Sequence, residues 1–355
     1  MNRRRLLLIL GGILGSLGVV GLVNVWPYLK YYVTPVETTS GTIKSSKQNR
    51  FIDEEGKSMV GIVLGTGRQD EVSDMVKKSV DIIGGIEKLD VRGKTALLEP
   101  NLNSGDLYPA STNPQVVKGV IEMLYSAGAS KVFVGDMSNP NYSTADAMKR
   151  AGIADVVEET GAFPLYFEDE EWISIKIPEA KNIQEISLSK SVYDAEILID
   201  MPTVKTHSLA TYSMSMKNFV GTIHPKSRMT MHSSQNLEQA IAEINLAIHP
   251  DLVVMDGTRS MVSGGPVEGT VKNTNLIVAS GDRIANDIVG LSIIKNYRLS
   301  ERINNKDVWD QTQIKKALDL NIGSGKSKIK LVSYSFTGKE PLDTLLNDIQ
   351  QISGL

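Results

Sequence analysis

Lys205, His207, Lys217, Asn218, His224, Lys226, Arg228 and His232 fall within residues 198–232, a stretch with no acid after Asp200. The chain has four histidines, three of them here, and the fourth, His249, follows shortly after. Ammonium and guanidinium groups bind carboxylates and phosphates, and imidazole, with an ordinary pKa of ~6.5, moves protons near neutral pH. This set suits a small anionic ligand. Lys205 and Lys217 would hold the anion, and His207 would act as general acid/base. Asp256 or Asp136 would orient the imidazole or bind a divalent ion. Asn101, Asp136, Lys217 and Asn218 are the expected ligand contacts. A metal held by His207, His232 and Asp256 is the alternative use of the same groups, although no HxxxH spacing supports it. Plain structural uses compete: a strand-end Asp or Asn often caps the next helix, and His249 before Pro250 suits a helix C-terminus.

Positioning such groups is the task of the surrounding elements. From residue 59 onward, short apolar runs alternate with helical periodicity. "MVGIVLG", "KTALLEPN", "KVFVGD", "AEILIDMP", "DLVVMDG" and "NLIVASGD" read as buried strands, and "KIKLVSYSF" as a later one. Val72, Met75, Val76, Val80 and Ile83 share a helix face that Gly84-Gly85 stops. Asn113 caps and Pro114 opens another helix that Gly128 ends. Continuous apolar strands between amphipathic helices predict an α/β fold: a largely parallel sheet with helices on both faces. Residues 163–188 read as a small strand-rich insertion.

In open α/β sheets ligands bind beyond the carboxyl ends of the strands. There the sequence offers Glu99-Pro100-Asn101, Gly135-Asp136, Asp200-Met201-Pro202, Asp256-Gly257 and Ser280-Gly281-Asp282. Asn101, Asp136, Asp256 and Lys205 are therefore expected to line one cavity. The glycine-rich residues 256–269 lack the Gly-Lys-Ser/Thr ending of a phosphate loop, and no GxGxxG follows a strand.

Bulk properties narrow the choice. The 355 residues are 41% hydrophobic and 22% charged, as in a folded globular protein, and the net charge of −3 gives no footprint for nucleic acid. The absence of cysteine excludes disulfides, thiolate zinc sites and an iron–sulfur cluster. Arg3, Arg4 and Arg5 precede an uncharged run at 6–26 that is long enough to cross a ~30 Å hydrocarbon core. The arginines favour a cytoplasmic N-terminus, so the body is expected outside the cytoplasm on an uncleaved anchor. A cleaved twin-arginine-like export signal is the alternative. Residues 1–32 are thus read as anchor or signal, 33–57 as a polar linker, and 58–355 as the α/β domain.

The phrases "EPNLNSGDLYPASTNPQVVKGVIEMLYSAGASKVFVGDMS", "DMPTVKTHSLATYSMSMKNFVGTIHP", "INLAIHPDLVVMDGTRSMVSGGPVEG" and "ASGDRIANDIVG" together resemble the domain of unknown function family number 362, over about residues 60–297. Lys-Thr-His, Lys-Asn-x-x-Gly and Pro-Asp-Leu-x-Val-x-Asp-Gly carry the resemblance. Many members look like iron–sulfur proteins, and several carry twin-arginine signals. This chain lacks cysteine, so the cluster role does not transfer. Where the family usually reads Lys-Pro-Asn, this chain has Glu99-Pro100-Asn101. The expectation is an exported, membrane-anchored protein that binds or acts on a small anion. The alternative is a non-catalytic, tethered ligand- or metal-binding protein.

Overall fold

The computed structural model of the chain describes Tyr31 and residues 36–355. The run at 6–26, expected to be an anchor or signal, lies outside the described residues. No helix among those described is long and apolar enough to cross a membrane.

The protein is a mixed α/β fold built on one large sheet. Its strands are β1 (Thr38–Gly41), β2 (Ser58–Leu64), β3 (Thr95–Pro100), β4 (Lys131–Asp136), β5 (Phe163–Tyr166), β6 (Trp172–Lys176), β7 (Glu185–Ser189), β8 (Ile197–Met201), β9 (Thr203–His207), β10 (Thr211–Ser213), β11 (Leu252–Gly264), β12 (Gly269–Ser280) and β13 (Ile329–Ser335). Ten of them form the main sheet, in the order β13-β2-β12-β11-β8-β3-β4-β5, with β9 on β11 and β10 on β9. The run β11-β8-β3-β4-β5 is parallel, and so is the β13–β2 pair. β12 runs against both neighbours. The cause is local: the glycine-rich 256–269 region is the end of a long hairpin, and a tight hairpin can only return antiparallel.

Side chains of these strands alternate between two apolar cores. Ala96 and Leu98 of β3 enter one core and Leu97 the other; Ile197, Ile199 and Met201 of β8 oppose Leu198 in the same way. Helices Val72–Asp81, Pro114–Ser126, Thr144–Arg150 and Ile153–Thr160 contribute to the first core. Helices Leu237–Ile244, Arg283–Asn296, Thr312–Asp319 and Lys339–Ser353 contribute to the second. Helix Pro114–Ser126 starts where the sequence says it must: Asn113 accepts the Gln115 N–H and Pro114 needs no donor. Asp282 caps Arg283–Asn296 by accepting from the Ile284 and Ala285 N–H groups.

Two segments differ from expectation. Of the strand-rich 163–188 region, β5 belongs to the main sheet, because helix Ile153–Thr160 makes it a parallel crossover from β4. Only β6 and β7 form the separate antiparallel pair. The polar 33–57 stretch is not a bare connector. β1 pairs in parallel with β6, Ile52 bridges to Ser58, and the Phe51 ring is fully buried in the first core. Phe51→Ala should therefore lower the unfolding free energy by about 3–5 kcal/mol, read by urea denaturation. A loss near zero would mean that this segment is a solvated linker after all.

Candidate functional site

A cavity of about 310 Å³ opens beyond the carboxyl ends of β3, β4 and β9. Asn101, Asp136, Lys205, His207, Lys217 and Asn218 all stand on its wall, together with Arg228 and His232.

Local chain geometry explains the gathering. Pro202 separates β8 from β9 and has no N–H to continue the ladder; β8 lies between β3 and β11, and beyond Pro202 the chain leaves β3 and keeps only β11 as a neighbour on that side. Lys205 and His207, two residues apart on β9, then share a face. β10 doubles back on β9 and hands the chain to the short helix Ser215–Asn218, which carries Lys217 and Asn218. Helix Pro225–His232 follows, capped by His224, whose Nδ1 accepts the Lys226 N–H. Arg228 and His232 stand four residues apart on this helix and so share its inner side. The roof comes from the β11–β12 hairpin: Pro266 lines the cavity, and the Ser208 N–H donates to Gly265 O at 3.2 Å. Gly265 sits at φ +79°, and a Cβ there would stand 2.0 Å from Thr206 O, so only glycine allows this docking.

Beneath the cavity lie buried acids. Glu99 and Asp200 are register partners on β3 and β8, both fully buried. One amide, Asn218 Nδ2, reaches Glu99 Oε2, Glu99 O at 3.0 Å and Asp200 Oδ1 at 2.9 Å. Asn218 Oδ1 accepts from Asn101 Nδ2 at 2.7 Å, and Asn101 Oδ1 accepts from Lys205 Nζ. Lys205 Nζ also donates to Ala110 O at 2.6 Å. An unbroken chain of hydrogen bonds thus runs from the buried acids to Lys205. Gly221 passes directly over the acids: a Cβ there would be 2.0 Å from Asp136 Oδ1 and 2.8 Å from Glu99 Oε1. The Lys-Asn-x-x-Gly phrase now has a physical content. Lys217 faces the ligand space, Asn218 clamps the acids, and Gly221 lets the backbone approach them.

Burial dominates the electrostatics. It raises the Asp136 carboxyl to about 7 even though Arg228 opposes the shift. It raises Glu99 and Asp200 well above the usual range, Glu99 further still because Asp136 and Asp200 are near. Glu99 Oε1 and Asp200 Oδ2 have no hydrogen-bond partner, and a proton held between these carboxyls is the state that burial favours. Burial lowers Lys205 to about 7, with Lys217 adding to the effect, and lowers Lys217 to about 8, with Arg228 adding. Arg228 is also lowered by burial, while Asp136 and Glu99 oppose. It donates to the carbonyls of Ile223, Ser138 and Gly221. None of the three cations takes part in an ion pair among the described residues. Lys217 has no hydrogen-bond partner there either.

The two cavity imidazoles are not equivalent. His207 Nδ1 accepts the Leu209 N–H at 3.1 Å and the Ala210 N–H at 3.2 Å. Its proton therefore sits on Nε2, and burial, with Lys217 and Lys205 nearby, holds the ring neutral far below the usual range. This ring can donate a hydrogen bond but offers no free lone pair to a proton or a metal. His232 is the reverse. Its Nδ1 lies 2.7 Å from Arg228 O, which puts the proton on Nδ1 and leaves Nε2 as a base. Asp256 stands apart from the cavity wall. β11 continues well past it, and its carboxylate is occupied by the N–H groups of Asn113 and Thr258 and by the Thr258 hydroxyl. Asp282 lies at the opposite edge, beside Ser58 at the start of β2, because β12 runs backwards. No group of three or more His, Asp or Glu among the described residues is arranged to hold a metal ion. Glu99, Asp200 and Arg228 stand in the sequence reading only as strand-end acids and as one of a group of cations, without a contact assigned to them. A charge inside an otherwise apolar strand was the available signal for the first two.

The unfolded chain loses the Asp136 proton above about 4, whereas the folded protein keeps it to about 7. Fewer protons on the unfolded state mean that stability falls as pH rises through that window. Asp287, also raised to about 7, and Glu99, Asp200 and Asp256 add to the same slope. Asp136→Asn removes one share of it. Urea-unfolding free energies of this variant, measured across that range, should fall less steeply than those of the unaltered protein. Equal slopes would mean that Asp136 is ionised in the fold.

A curated relative, the "thylakoid-associated protein sll1697" of Synechocystis sp. (strain ATCC 27184 / PCC 6803 / Kazusa), is 28% identical over 229 residues, covering 60% of this chain and 67% of the relative. The family described as "Domain of unknown function (DUF362)" matches residues 97–292, which include every residue placed on the cavity wall above. The chain belongs to the DUF362 family.

Proposed function

We propose that the protein binds a small anion, a carboxylate or a phosphate, in the cavity at the carboxyl edge of its sheet. The observation that carries this reading is the Lys217 ammonium, which faces the cavity with no partner among the described residues while Lys205 and Arg228 stand beside it. Three cations in a partly desolvated space repel one another, and an anion is what offsets that cost. His207 supplies a fixed N–H donor to the anion. Acid–base work on the bound molecule falls to His232, whose Nε2 is free. A divalent ion on His207, His232 and Asp256 does not fit this arrangement, because Asp256 is elsewhere and the His207 lone pair is engaged.

The same reading places the body on a membrane through residues 6–26, outside the cytoplasm, with a cleaved export signal as the alternative. The arginine-flanked uncharged run and the name of the thylakoid-associated relative support it. The protein should fractionate with membranes, and its body should be degraded by protease added outside intact cells. Full-length protein in the soluble cytosolic fraction would remove both forms.

The lysines separate binding from structure. Lys217→Met removes a cation that has no partner among the described residues, so Tm should hold or rise while stabilisation by sulfate disappears. Lys205→Met strands Asn101 Oδ1 and Ala110 O and should cost about 1–3 kcal/mol. Sulfate keeps its charge near neutral pH, so its stabilising effect should fade as pH rises past about 7 and about 8, where Lys205 and Lys217 release protons. Sulfate stabilisation that survives Lys217→Met, or that ignores pH, would sink the anion reading.

A further inference from the structure

We propose that the anion taken by this cavity is the phosphate of a membrane lipid headgroup, met at the bilayer surface. This rests on the anion-binding reading above and adds the source of the anion.

The chain enters the body beside the cavity. The Tyr31 ring packs edge-on against His224 with centroids 5.5 Å apart, and Tyr31 lies against the second core. His224 caps the helix whose Pro225, Arg228, Met229 and His232 line the cavity. In the sequence Tyr31 follows the last residue of the uncharged run, Trp26, by five positions. Five residues span at most ~17 Å when fully extended. With the run in a bilayer, the cavity helix is therefore held close to the headgroup layer.

The cavity loops independently show an interfacial character. The loop after β3 places Asn101 and Asn103 on the wall and exposes Leu107, 69% accessible. The loop after β4 places Asn139 and Pro140 there and exposes Tyr142, 43% accessible. The turn after β9, next to His207, exposes Leu209, 63% accessible. Three of the loops that build the cavity thus each end in a large apolar or amphipathic side chain. Single exposed leucines are ordinary on a soluble protein, but two leucines and a tyrosine on three loops beside one cationic cavity are the pattern of a surface that meets lipid. Tyr142 is backed by the Arg150 guanidinium at 5.0 Å, and Arg302 donates to the carbonyls of Ser208 and Leu209. Each arginine also has an acid nearby, Asp106 at 3.7 Å and Glu238 at 3.5 Å, so these two add little net charge to the loop tips. The pull on an anion therefore comes from inside the cavity, where Lys205, Lys217 and Arg228 stand. An inorganic anion would need that interior alone; the apolar tips and the short tether fit an anion that carries acyl chains.

The test uses the full chain in a mild nonionic detergent with two probes: inorganic phosphate, and dihexanoyl phosphatidic acid below its micellar concentration. Affinities are read by calorimetry and thermal shift. The lipid should bind about tenfold tighter than phosphate, or more. Replacing both tips with neutral polar residues, Leu107→Ser with Leu209→Ser, should bring lipid affinity down to that of phosphate and leave phosphate binding unchanged. Lys217→Met should remove both. Equal affinity for the two probes, indifferent to the double tip variant, would assign the anion to solution and overturn the lipid source while leaving the anion site intact. Binding of neither probe to a protein with an unaltered melting temperature would overturn the anion site itself, and the lipid source with it.

Discussion

The structure depends on burying carboxyls and cations at one sheet edge without a direct ion pair between them. Glu99 and Asp200 lie beneath the cavity, and Asp136 stands on its wall with Lys205, Lys217 and Arg228. Contact between full charges in a low-dielectric interior is strong, but the desolvation it requires is costly. This protein reduces the charges instead. The acids move toward their neutral forms and the lysines toward theirs. Between the two sets stand the amides of Asn101 and Asn218. Their orientation follows along the chain: Asn101 presents oxygen to the Lys205 ammonium and its NH₂ group to Asn218 Oδ1, which leaves the Asn218 NH₂ group for the acids.

That constraint explains features of the chain that look unrelated. Pro202 ends the pairing with β3 just after Asp200, so that Lys205 stays beside β11 but off the β3–β8 ladder that holds Glu99 and Asp200. Gly221 keeps the wall thin over Asp136 and Glu99, and its carbonyl accepts from Arg228 and from the Met137 N–H. The Glu99 side chain fits here because its partner across the ladder is another acid able to share a proton.

Much of this was legible in the sequence. Apolar strands of four to six residues, the Asn113–Pro114 helix start and the crowding of cations after Asp200 all point to a carboxyl-edge site. Asn101, Asp136, Lys205, His207, Lys217 and Asn218 do share one cavity. Asp256 and Asp282 do not, because strand length and direction are set by pairing partners far along the chain and leave little local trace. The different roles of His207 and His232 were also invisible, since each follows from which backbone group meets Nδ1. β1 was missed because a short polar strand on a small sheet has neither apolar periodicity nor length to mark it.

The hairpin tip over the cavity has a consequence of its own. The floor is rooted in β3, β4 and β8, where every change disturbs buried charge. The roof is Pro266, carried on a two-stranded arm and tied to the turn after His207 by a single backbone hydrogen bond. Charge preference and headroom are thus built by separate parts of the chain. Among relatives, a tip lengthened or shortened at Pro266 would retune the size of what is admitted while the chemistry of recognition beneath it stays the same.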